Sequence, residues 1–287
     1  MADLKPFHVQ EWVDSYPDFS QTFCRNYFRS IKRCVSWACK QGYIDRDPVK
    51  GLEVPAGEHR EVCIAKPEFE QMLSFIPEQC FRDLWEVTFQ TGCRPQESLR
   101  VEARHVDIAR SRWVFPIKES KGKKQPRIVY LSPQAEEVTK RLTKQHPDGV
   151  LFRNSCGRPW TTEAVNCAFD RLQHRMGRKA MHDQGVDLLT AIQQKMRELN
   201  DLRNVMQIPE KERYKLSYRV FAKFAPRYSL YALRHSWATA ALQSGLDGLT
   251  VGLLLGHNDP STLARVYRHL SHNPEHLLKQ MRSTVRD

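Results

Sequence analysis

Residues 228–245 read YSLYALRHSWATAALQSG, and this stretch decides how the chain folds. Ser229 is a capping residue type placed just ahead of an apolar-periodic run, and Gly245 is a helix stop. Between them Leu230, Leu233, Trp237 and Ala241 recur at spacings of three and four, a stripe that presses one helix face against a core. Tyr231 and Arg234, three apart, share a neighbouring face. Taken alone, the arginine is either incidental to a core helix or held there to meet an anion.

The next segment downstream, LLLGHNDP (253–260), places His257 at the mouth of a turn behind the stop Gly256. RVYRH (265–269) follows, with Tyr267 ten residues past His257. Asp247 and Asp259 suit the caps of short helices, Pro260 suits a first helical position, and Asn273-Pro274 opens a last helix.

Upstream, TGCRPQESL (91–99) puts Arg94 between a glycine stop and a helix opening at Pro95. Backbone N–H groups at such a start favour an anion, and Glu97, one turn on, can hold the arginine. RWVFPI (112–117), the turn KESKGKKQP (118–126) and RIVYL (127–131) form a hairpin signal with a very basic loop. Lys121, Lys123 and Lys124 on that loop suit phosphate contacts, as does Arg127 at its far end.

The remaining pattern predicts helices over 19–42, 67–76, 81–90, 133–145, 161–175 and 186–205, and a short strand at 150–152. Asp47-Pro48 and Val54-Pro55-Ala56-Gly57 are breakers. The expected organisation is a small helical unit over 1–55, a linker over 56–65, and a larger domain over 66–287. The fold class is mostly α with a small antiparallel β-sheet.

Composition narrows the function. The 287 residues carry 45 Lys+Arg against 33 Asp+Glu, a net charge of +12, which points to a polyanionic partner. The excess is local: 94–130 holds ten Lys/Arg against four Asp/Glu. Hydrophobic residues at 40% suffice for a core and argue against global disorder. No apolar run approaches the roughly 20 residues that span a bilayer, and the first residues lack a signal-peptide pattern. A cytoplasmic protein without membrane contact is expected. The eight cysteines form no CxxC pair and no zinc spacing, so they are expected to be mostly buried free thiols. No carboxylate cluster points to a metal ion.

Singly, each motif has a bland reading: a surface arginine, a solvated loop, a core helix, a structural histidine, a core tyrosine. In this order they resemble the tyrosine recombinase, or phage integrase, family. The resemblance runs through TGCRPQES, SKGKKQPRIVYL, YALRHSWATAAL, LLLGHNDPST and VYRHL, and WACKQGYIDRDPVKGLEVP looks like the end of the family's helical DNA-clamping domain.

The resemblance implies a DNA breaking-rejoining catalytic fold preceded by a short, SAM-like helical core-binding domain. Arg94 and Arg234 fall on the two catalytic arginines, Lys121 on the hairpin lysine, His257 on the later His/Trp position and Tyr267 on the nucleophile. Glu97 matches a supporting acidic position. Tyr231 stands where the family usually has a histidine. The stretch 176–227 is longer than the usual link before the second arginine, and the N-terminal part is shorter. The implied activity is site-specific DNA recombination through a 3′-phosphotyrosyl intermediate, without ATP, cofactor or metal. The implied assembly is a homo-tetramer on paired double-stranded DNA sites, with DNA-bending accessory factors as further partners. A catalytically silent DNA-binding relative is the alternative.

Overall fold

The computed structural model describes residues 4–57, 62–122 and 124–257. The chain divides into two compact units, Met1–Glu61 and Val62–Asp287.

The first unit is a helix pair, α1 (Pro6–Asp14) and α2 (Gln21–Lys40). Ser20 caps α2, its hydroxyl accepting the Phe23 N–H at 3.2 Å. Val9 and Val13 of α1 meet Phe28 and Val35 of α2, and Val49 and Leu52 complete this small core. Trp12 stacks on Tyr27 with ring centroids 4.1 Å apart. The sequence pattern shows α2 but not α1, because α1 is only nine residues long and buries only two.

The second unit opens with α3 (Lys66–Ser74), α4 (Gln79–Thr91) and the single turn α5 (Pro95–Ser98). A three-stranded antiparallel sheet follows in the order β1 (Val106–Asp107), β2 (Arg112–Phe115), β3 (Arg127–Tyr130). Arg112 pairs with Tyr130 and Phe115 with Arg127, so the basic turn closes the expected hairpin. Then come α6 (Pro133–Gln145), α7 (Thr162–Asp183), α8 (Leu188–Glu198), α9 (Glu210–Phe221), α10 (Leu230–Gln243) and α11 (Gly248–Leu255). The main core gathers Phe81, Leu84 and Trp85 of α4, Trp113 of β2, Phe169 of α7 and Leu233 of α10. The fold is therefore mostly helical with a small antiparallel sheet.

Three local expectations need correction. Residues 150–152 form no strand: Val150 makes only an isolated bridge to Glu102, while Leu151 and Phe152 drop into the core. The helix expected over 186–205 stops at Glu198, where Asn200 takes a left-handed φ of 59° that a short polar side chain tolerates. The cysteines are not mostly buried. Cys93 is buried, but Cys34, Cys63, Cys156 and Cys167 are exposed, Cys34 lying beside Val35 on the solvent side of α2.

The stretch 176–227 is structured. α7 runs on past its expected end at 175 and, with α8 and α9, encloses a separate small core of Met181, Ile192, Met196, Leu216, Val220 and Phe221. Gly177 makes the α7–α9 approach possible: a Cβ there would come within 2.1 Å of the Phe221 carbonyl oxygen. No described helix is long and apolar enough to cross a membrane.

Candidate active site

The site is built where three helix ends meet. α4 stops at Gly92, whose left-handed φ of 60° is one that L side chains rarely adopt. A Cβ at Gly92 would also lie 2.7 Å from the Trp237 ring. Two residues on, Arg94 is the extended N-cap of α5. Its backbone N–H donates to Glu97 Oε2 at 2.8 Å and its Nη1 to Glu97 Oε1 at 2.9 Å.

α10 is buried on most sides, as its apolar run requires, and carries Arg234 inward with 5% of its surface exposed. Arg234 Nη1 donates to the Gly92 carbonyl at 2.8 Å. Asp247 caps α11 by accepting the Thr250 N–H at 2.9 Å, and Gly256 ends it with φ 67°.

The end of α11 organises the cluster. Its last carbonyls lack intrahelical partners and carry the negative end of the helix dipole. Three successive ones each accept from a different arginine. Leu254 accepts from Arg127 Nη1 at 2.8 Å, Leu255 from Arg234 Nη2 at 2.8 Å, and Gly256 from Arg94 Nη2. Glu97 ties two of the three together, because Arg127 Nε also donates to its Oε1 at 3.0 Å.

His257 follows directly. Arg234 Nη2 lies 3.0 Å from its Nε2. A guanidinium only donates, so Nε2 carries the lone pair and Nδ1 carries the proton. Nδ1 is buried with no partner among the described residues.

Charge states follow from this crowding. Burial, then the neighbouring arginines, push His257 down to about 4, so it is neutral at pH 7. Burial, then Arg94, push Arg234 down to about 10, which leaves it charged. Burial resists ionisation of Glu97, but Arg127 and Arg94 outweigh it and hold the carboxyl below its usual range. Burial raises the Cys93 thiol to about 11, so this cysteine is unreactive.

A cleft of about 350 Å³ opens in front of the cluster, with Arg94, Lys121, Gln125, Tyr130 and Leu253 among its walls. Ser120 pins the basic turn by donating to the Gln125 carbonyl at 2.7 Å. Lys121 and Lys124 are exposed on it.

The structure thus brings together Arg94, Glu97, Arg234 and His257, with Lys121 on the rim. Tyr231 is 55% exposed while Arg234, three residues on, is buried, and no hydrogen bond joins them. Tyr267 and Lys123 lie outside the described residues. Arg127 is the correction: expected as a DNA contact, it is 7% exposed and spends its donors on Glu97 and two carbonyls. Strand parity carried that signal, since Arg127 shares the inward face with Val129. The backbone oxygens of Gly92 and of 254–256 were also missed. No side-chain motif announces a carbonyl acceptor.

Comparison with known proteins places this arrangement. Residues 64–186 match the family model described as "Phage integrase family". A tyrosine recombinase XerD of Staphylococcus haemolyticus is 25% identical over 281 residues, covering 92% of this chain and 77% of that protein. These matches make the chain similar to the phage integrase family of tyrosine recombinases. Among solved structures, the Tn1549 transposon integrase in complex with transposon right end DNA superposes with a TM-score of 0.59 at 16% identity, covering 93% of this chain and 82% of the other. The XerH recombinase bound to palindromic difH substrate gives 0.59 at 17% identity, over 99% and 73%. At these identities the structural likeness speaks for the shared fold. The family-model match contains Arg94, Glu97 and the basic hairpin, whereas Arg234 and His257 lie beyond its end.

Proposed function

We propose that this chain is a site-specific DNA strand transferase, with Tyr267 as the nucleophile. What supports the reading most is the end of α11, where Arg94 and Arg234 are anchored on the carbonyls of adjacent residues, Gly256 and Leu255. Attack on a phosphodiester builds negative charge on its non-bridging oxygens. Two fixed guanidiniums stabilise that charge without reorganising as it develops. His257, held by Arg234 in the Nδ1–H tautomer, is a hydrogen-bond donor at neutral pH and not a base. Its Nδ1–H, without a partner among the described residues, is suited to a phosphate oxygen.

Lys121, mobile at the end of its own long side chain on the cleft rim, supplies the proton for the leaving 5′ oxygen. The phosphotyrosyl ester conserves the bond energy, so neither ATP nor a metal ion is required. The N-terminal helix pair serves as a short DNA clamp, and the active assembly is a tetramer on two duplexes.

The test is covalent capture. The protein is incubated with nicked duplexes spanning the DNA that flanks its gene, then denatured and analysed for a protein–DNA adduct. An adduct that disappears in Tyr267→Phe is expected. A catalytically silent DNA-binding relative is the second reading, and the exposed Tyr231 at a histidine position favours it. That reading predicts DNA retention by native wild-type protein with no adduct after denaturation.

A further inference from the structure

The insertion carries a second charged surface that the strand-transfer chemistry does not use. Residues 171–227 hold thirteen Lys/Arg against six Asp/Glu, so this segment alone carries an excess of seven positive charges. Several of those cations are paired: around α8, Lys195 and Lys223 share Glu198 and Arg203 holds both Asp201 and Glu212, and at α7 Arg175 meets Glu78, Lys179 meets Asp183 and Arg227 meets Asp170. Along α7 and α9, Arg171, Arg178, Lys211, Lys215 and Arg219 are exposed, and none makes an ion pair among the described residues.

Four of these five cations, Arg171, Arg178, Lys211 and Lys215, lie on two helical stripes. On α7, Arg171, His174, Arg175 and Arg178 recur at the spacing of a single helical stripe. On α9, Lys211, Tyr214, Lys215 and Tyr218 do the same. The two stripes meet: His174 stacks on Tyr218 with centroids 3.9 Å apart, and the hydroxyls of Tyr214 and Tyr218 are 3.0 Å apart. Arg171 and Arg175 bear electrostatically on Tyr218, and Arg178 and Arg175 on His174. Buried polar atoms along the seam, His174 Nε2 and Arg175 Nε, have no hydrogen-bond partner among the described residues. Cations without counter-ions, interleaved with aromatic rings whose edges carry hydrogen-bonding groups, are complementary to a nucleic-acid backbone.

The surface is also far from the cleft. α7 starts beside the site, where Gln96 Nε2 reaches Thr162 Oγ1 at 3.4 Å. Thirteen residues later Arg175 is beside Glu78, at the opposite end of α4. The rise of a helix makes that separation about 20 Å.

We propose that this α7–α9 face is a second duplex-binding surface, which takes the phosphate backbone of DNA flanking the segment held at the cleft. The inference rests on the DNA reading above, and its test separates the two. The triple variant Arg171→Gln/Arg178→Gln/Lys215→Gln removes three exposed charges and no packed side chain. Binding is measured against salt on mixed-sequence duplexes of about 15 and about 40 base pairs, one and a half and four helical turns. Circular dichroism and sedimentation are run alongside.

On the long duplex the slope of log K against log salt is expected to fall by roughly 2–3, close to one unit per lost phosphate contact. On the short duplex it is expected to stay that of wild type. Equal slopes for both proteins on the long duplex overturn the proposal. So does an equal loss on both lengths, which would place the three side chains at the cleft. A variant that loses self-association with DNA affinity intact overturns it too, since the face would then belong to a protein contact. Binding of a separate duplex in trans without the length dependence removes the flanking assignment. If the length-dependent slope is seen but no covalent adduct forms on any duplex, the strand-transfer reading fails and this surface stands. An adduct with equal slopes has the opposite meaning.

Discussion

The end of α11 and the α7–α9 face are both arginine-rich, yet they use the residue in opposite ways. At α11 the guanidiniums are buried or nearly so, and they donate to backbone carbonyls, one carboxylate and His257. On α7–α9, Arg171, Arg178, Lys211, Lys215 and Arg219 are exposed and carry no ion pair among the described residues, whereas Arg175 meets Glu78 and Lys179 meets Asp183. The first arrangement fixes charge in direction and position, at the cost of desolvating it. The second keeps charge hydrated and approximate. Fixed charge stabilises a transition state, because the dipoles need not move when the reaction charge appears. Hydrated charge supplies affinity that salt can tune.

The comparison can be broken most decisively at the cleft. Arg94→Ala or Arg234→Ala is expected to slow adduct formation by roughly 10²- to 10³-fold or more, since each removes a preorganised donor. Gel-shift binding of the same duplex should persist. Wild-type cleavage in either variant would end the assignment. Next in size is Glu97→Ala, which leaves Arg127 buried without its counter-ion. A loss of about 3–5 kcal/mol in urea unfolding is expected. An unchanged midpoint would mean that the cluster is not tied through Glu97.

Gly177→Ala tests the insertion's own packing. A methyl group facing the Phe221 carbonyl is expected to cost about 1–3 kcal/mol. Hydrogen exchange should localise the loss to α7 and α9 and leave the cleft protected. A pH series sharpens the contrast further. His257 is depressed to about 4 in the folded chain, against an ordinary value near 6.5. Between those limits the unfolded chain binds the extra proton, so this histidine's contribution to stability rises with pH through the window and is lost as pH falls through it. The dependence should flatten in His257→Asn. The smallest effect belongs to Glu198→Gln on the exposed α8 side, where no measurable change in stability is expected.

Local signals were legible wherever the physics is local. Pro133–Gln145 and the helix from Leu230 were readable because Ser132 and Ser229 cap them through their own side chains. The hairpin was readable because two short runs rich in β-branched and aromatic residues, RWVFPI and RIVYL, flank a polar turn. α9 was not, because its apolar residues are few and come only after the charged half EKERYK, so no period runs the length of the helix. Its helix exists because Leu216, Val220 and Phe221 find Met181 and Ile192 on other helices. At the site, the identities of Arg94, Glu97, Arg234 and His257 could be picked out from motif order. Their relation to one another could not, because the link between them is made of carbonyl oxygens.

By itself, then, the amino-acid order determined the helix starts and stops, the hairpin, the excess of positive charge and the family resemblance. Each of these is written in neighbouring residues. The tertiary structure alone decided which arginines face water and which are withdrawn from it. Arg127 and Lys121 lie on one basic hairpin, but only Arg127 meets carbonyls 127 residues further along the chain. Burial of a charge depends on what closes over it, and here that is the end of a helix formed far away in sequence.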